Sequence, residues 1–233
     1  MKAKVLIILS LTLVLATGCA SYKAARQPDL SYDLKSQENK VDKDGIIMMV
    51  KCFYQKSDLT AYFDEDLLEY GVLPVQIQLQ NKSHPNPVVL NTAGINLIDP
   101  TGTRDPILSS AQVIDKAKKS YWRSAGWGVA FGVFGLIPSL INVSNTNKKI
   151  QADYESRGIK CGNLVCGGST QGLVFFSVPE DLGNLSGWHL SVDLKDIKST
   201  EDIVIDYGLS GTFVPPKDRK PKKEEETKEP NRS

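Results

Sequence analysis

The side chains best suited to chemistry in this chain are four cysteines, two histidines and one run of acids. Cys161-Gly-Asn-Leu-Val-Cys166 sets two thiols four residues apart with a glycine between them. A turn over that spacing brings the two Cβ atoms within bridging reach. A Cys161–Cys166 disulfide is therefore expected, pinning the loop before an apolar run at Thr170–Val178. Two alternatives stand beside it: one of the pair bonds to Cys52, or all three thiols stay reduced. The Cys-x-x-Cys spacing of redox-active pairs is absent. Three cysteines with His84 or His189 could make a tetrahedral zinc set on paper, but no close ligand spacing supports one. Asp64, Glu65 and Asp66 lack the alternation of a calcium loop and read as a solvated acidic loop. The chain has no Gly-x-Ser-x-Gly elbow, no His-Glu-x-x-His pair and no phosphate loop. We expect a protein that is not an enzyme and uses no cofactor or metal.

Cys19 has a different context. Lys2 and Lys4 are followed by an apolar run, Val5–Leu15, and then by Ala16, Thr17 and Gly18. This is the three-part layout of an export signal, and the run is too short for a spanning helix of about 20 residues. Ala16-Thr17-Gly18-Cys19 resembles the lipobox of bacterial lipoproteins, although Leu stands one place early at Leu15 and Thr17 fills the second place. The resemblance implies cleavage after residue 18, acyl chains on Cys19, and a membrane partner through that lipid. Three chains on one residue suffice for stable anchoring, which a single chain is not. Ala20, where an aspartate would signal retention, implies the outer membrane.

Behind the signal the length fits one domain with tails. The chain is 41% hydrophobic and 24% charged with a net charge of +1, which gives no argument for nucleic acid. Residues 19–44 are polar and lysine-rich and read as a flexible lipidated tether. Gly45–Tyr54 is an apolar run of strand length. In Leu73–Gln80, Val75, Ile77 and Leu79 alternate with Gln76, Gln78 and Gln80, the period of a half-buried antiparallel strand. Val88–Leu90 and Ile95–Ile98 continue, with a bulge expected at Ala93-Gly94, and Asp99-Pro-Thr-Gly102 closes them with a turn. Thr170–Val178, Trp188–Leu194 and Ile203–Phe213 complete six or seven strands, the signature of an all-β sandwich. Ser57–Glu69 reads as a loop or a single helical turn. The strings PVQIQLQNKS, INLIDPTG and GGSTQGLVFFSVPED resemble the small secreted immunoglobulin-like domains of bacterial lipoproteins. The resemblance implies a mainly β, immunoglobulin-like antiparallel β-sandwich over residues 45–214, and that family has no common active site.

Residues 107–158 break the β pattern and are expected to form an inserted helical hairpin. Ser109 or Ser110 can cap a first helix, and Gly158 can stop a second over Asn147–Arg157. Between them, Ser124–Ile141 carries no charge. Gly128, Gly132 and Gly135 fall on one helical face, and Trp127, Phe131 and Phe134 crowd the others. Small residues at this spacing admit a second backbone. One reading is membrane insertion or contact with a partner helix. The other is a helical insertion buried on, or covering, the sheet. Residues 215–233 are charged and proline-rich and read as a disordered tail. Together these features point to a lipid-anchored envelope protein that binds another envelope protein, or to a membrane-active module working through residues 124–141.

Overall fold

The computed structural model describes residues 40–124 and 148–211, with side chains only as far as residue 117 in the first stretch. The protein is mainly β. Among the described residues nine strands make two antiparallel sheets: β1 (Lys40–Lys43), β2 (Ile46–Cys52), β3 (Val72–Asn81), β4 (Val88–Ile98), β5 (Arg104–Pro106), β6 (Gly162–Leu164), β7 (Ser169–Ser177), β8 (His189–Asp196) and β9 (Asp202–Gly208). One sheet runs β1-β2-β3-β7. The other runs β5-β4-β8-β9, with β6 also pairing β4. The order is that of an immunoglobulin sandwich. β2, β3 and β7 stand where strands A, B and E stand, and β5, β4, β8 and β9 where C′, C, F and G stand. The helical residues 110–124 and 148–157 belong to the connection where strand D would lie.

Alternation builds the core. Met48, Val50, Val75, Ile77, Leu79 and Phe176 from the first sheet meet Leu90, Ile95, Leu97, Leu190, Val192 and Ile205 from the second, all in one buried cluster. The outer face of the first sheet departs from the expected half-buried strand. Gln76 is fully buried, and Ile47 and Met49 are buried with it. Gln76 pairs across to Leu173, beside Phe175, and that face is roofed by helices.

The roof begins at α1 (Lys56–Phe63) and a 3-10 helix (Leu67–Tyr70), where a loop or single turn was expected. α1 starts at Gln55 without a side-chain cap and stops at Asp64 in the left-handed region, so no start or stop signal marks it. The insertion supplies the rest. α2 (Ser110–Ser124) opens with a capping box: Ser109 N donates to Gln112 Oε1 at 2.8 Å, and Gln112 N returns a bond to Ser109 Oγ at 3.3 Å. Residues 148–157, α3, are helical as expected and end at Gly158. Tyr154 packs between Phe63 and Phe175 at centroid distances of 6.1 and 5.0 Å. Arg157 lies over the Phe63 and Tyr154 rings and donates to Tyr62 O. The two ends of the hairpin thus cover the sheet. Its centre, with Trp127, Gly128, Phe131, Gly132, Phe134 and Gly135, lies outside the described residues.

Two boundaries shift. Lys40–Lys43, assigned to the tether by composition, is a strand of the first sheet. It joins β2 through Asp44-Gly45, both at positive φ (52° and 78°), a hairpin turn whose twist matches its strands. The last strand ends at Gly208 and does not reach Phe213. The bulge in β4 appears as a register shift between Leu90 and Ile95.

Candidate functional site

Strand direction brings four turns to one end of the sandwich. They are Asp44-Gly45, the β3–β4 loop, the β6–β7 turn and the β8–β9 turn. Ile46 pairs with Asn81, Gln80 with Ser169, and Val88 with both Leu164 and Asp196, so all four emerge together.

Asp196 is the hub. It is 3% exposed. Oδ2 accepts from His84 Nε2 and Asn86 Nδ2, both at 2.9 Å. Oδ1 accepts from Lys198 N at 2.7 Å and Ser199 N at 3.0 Å. Four donors fill the four lone-pair positions of a carboxylate. The Asn86 amide and then the His84 ring hold the Asp196 carboxyl well below the usual carboxylate range. His84 Nδ1 lies 3.0 Å from Asp44 O, so both ring nitrogens face acceptors. Asn81 is fully buried beneath. Its Nδ2 donates to Leu164 O at 3.1 Å and to Asn86 O at 3.2 Å, and its Oδ1 accepts from His84 N. Gly167 N donates to Asn81 O at 2.7 Å. The cluster is a brace: its polar atoms are used in holding loops to one another.

What the braced end presents is apolar. Val165 is 54% exposed and Ile197 45% exposed, the large hydrophobic side chains that stand out of a surface otherwise cleared of them among the described residues. Continuing the two registers one step past Val88 sets Pro87 between Val165 and Ile197 in one row. Ile197 N donates to Pro87 O at 3.1 Å. Lys82, Lys195 and Lys198 lie exposed around this row.

The sequence-predicted chemistry falls elsewhere. The expected Cys161–Cys166 bridge is not formed: Cys52, Cys161 and Cys166 are free thiols. The turn assumed between them is a strand, because residues 162–164 pair with β4. Cys166 Sγ contacts Lys82 O at 3.8 Å. Burial pushes the Cys52 thiol up to about 12, which keeps it protonated and inert at neutral pH. His84 belongs to the brace, while His189, at the start of β8, lies at the opposite end of the sheet. Among the described residues no group of three metal-ligating side chains occurs. No helix among them is long and apolar enough to cross a membrane. A mostly apolar hollow of about 130 Å³ lies beside β7, lined by Ile107, Leu108, Tyr154, Ile159 and Phe175. It is smaller than the roughly 300–1,000 Å³ of common ligand pockets. Cys19 and the six hairpin residues from Trp127 to Gly135 lie outside the described residues.

Sequence reasoning saw Asn81–Pro87 as turn chemistry and missed the brace. Its hub sits 112 residues from His84, and no local pattern marks Asp196 as its partner.

No protein-family model matches the chain, and no curated protein matches it. Among solved structures it is similar to the yjhA protein from Bacillus subtilis, at 12% identity and a TM-score of 0.37, over 71% of this chain and 93% of that one. It is also similar to the ycdA protein of Bacillus subtilis strain 168, provisionally named a lipoprotein. There the identity is 13% and the TM-score 0.37, over 74% of this chain and 39% of that one.

Proposed function

We propose that the protein is a lipid-anchored component of the bacterial envelope, held through Cys19, whose sandwich binds another envelope protein at its loop end without catalysing a reaction. The observation that carries the binding reading is the pair of exposed side chains Val165 and Ile197, flanking half-buried Pro87, on loops braced by Asp196. A contiguous exposed apolar patch favours a partner, whereas single exposed apolar side chains do not. Loops already held by hydrogen bonds lose less conformational freedom on binding than free ones do. β1 runs toward this end, so Lys40 stands at the end of its strand away from these loops. The signal-like first 19 residues support the anchor, and Ala20 supports the outer membrane as its location.

Labelling cells with radioactive palmitate tests the anchor. The protein takes up label and fractionates with membranes, and Cys19→Ser abolishes both. Label-free protein in the soluble fraction contradicts the reading. The reading through residues 124–141 is separated by liposome flotation of non-acylated protein. Flotation that disappears in Phe131→Asp/Phe134→Asp assigns insertion to the hairpin instead.

A further inference from the structure

We propose that Cys161 and Cys166 form an oxidation site that opens the sheet, because a disulfide between them and the pairing of β6 with β4 exclude each other. Three pairs, Val88↔Leu164, Val89↔Asn163 and Leu90↔Gly162, hold β6 extended. At about 3.3 Å per residue, Cys161 and Val165 stand roughly 13 Å apart. Cys166 is one Cα step of about 3.8 Å further, so whatever its turn it comes no closer to Cys161 than about 9 Å. Bridged cysteines need Cα atoms within about 7 Å. The bridge therefore forms only when β6 leaves β4.

The segment is built to leave. β6 is an edge strand of three residues, and Leu164 is its one buried side chain. Both flanking thiols are exposed. Gly162, Gly167 and Gly168 let the stretch contract, and Gly162 and Gly167 already have positive φ (151° and 82°). When β6 departs, Asn81 Nδ2 loses its bond to Leu164 O. The edge of β4 at Val88–Leu90 is bared, with backbone donors and acceptors open to an added strand. Val165 moves with β6, so the exposed apolar row is broken in the oxidised form.

The oxidant is a small organic disulfide, R–S–S–R. The thiolate of one cysteine attacks a sulfur of it, giving a protein–S–S–R mixed disulfide and expelling RS⁻. The second cysteine, as thiolate, attacks the protein sulfur of that bond and expels a second RS⁻. The two protons released by the cysteines end on the two RS⁻ groups. Two protein thiols are oxidised and one R–S–S–R is reduced to two R–SH.

The test treats the full-length mature protein with oxidised glutathione, maps disulfides by peptide mass spectrometry and follows amide hydrogen exchange. The expected result is a 161–166 bridge with exchange about tenfold faster or more at β6 and at the β4 amides facing it. Dithiothreitol reverses the change, and Cys166→Ser does not respond. A 161–166 bridge with β6 protection unchanged overturns the proposal. So does oxidation that leaves both thiols free, or that pairs them with Cys52 or with a second copy.

Discussion

Asp196 does at the scale of one residue what the loops cannot do alone. Its carboxylate collects two side chains and two backbone amides from separate turns. Because folding lowers its pKa, the stability it contributes is fully present above the unfolded value of about 3.9 and is lost as pH falls below that. We predict a denaturation midpoint that drops below about pH 4, and an Asp196→Ala variant whose acid decline is shallower and whose midpoint at pH 7 is lower. Urea titrations at stepped pH measure both. His84→Ala is expected to speed hydrogen exchange across the β3–β4 loop while leaving β8 protected. Little of this was legible in advance. Asn81-Lys-Ser-His-Pro-Asn-Pro87 announces a turn by its residue types, but which distant acid it folds against depends on strand register.

The elements themselves were more legible, for reasons that differ from strand to strand. β3, β8 and β9 alternate apolar and polar residues, and that period belongs to strands alone. The Asp99 turn was equally plain, and Asp99 Oδ1 accepts from Thr101 N and Thr103 N at 2.8 Å each. β6 has no alternation to read, so Cys161 and Cys166 on either side of it suggested a turn. β1 was hidden by its lysines, although Asp44-Gly45 carries the hairpin signal. The glutamines of β3 marked a polar face without disclosing that α1 and α3 roof it. The segment that follows α3 depends on close approach at Gly172, where an added Cβ would sit 2.3 Å from Ile159 Cα. Backbone cannot yield as a flexible side chain can. Gly172→Ala is predicted to cost about 1–3 kcal/mol and to loosen residues 158–159 from β7. Phe175→Ala, which removes the ring that Phe63 and Tyr154 pack against, is predicted to cost about 3–5 kcal/mol. Chemical denaturation reads each value, and a Phe175→Ala change below about 1 kcal/mol would count against the roof.

For the whole molecule, the turn spacing and alternation indicated two antiparallel sheets, and the strand order places them as an immunoglobulin-type sandwich. The helical pattern of residues 107–158 located the insertion between β5 and β6. The row of Val165, Pro87 and Ile197 was not legible, because three separate strands set it. The central claim is that this row receives a protein partner while Cys19 holds the chain to a membrane. Site-specific photocrosslinking in intact cells tests it most directly, with the probe at Val165 or Ile197 and, as a control, at exposed Ser186 in the β7–β8 loop at the other end. The account predicts a discrete heavier adduct from positions 165 and 197 and none from 186. Equal adducts at all three positions, or none at 165 and 197, would contradict it.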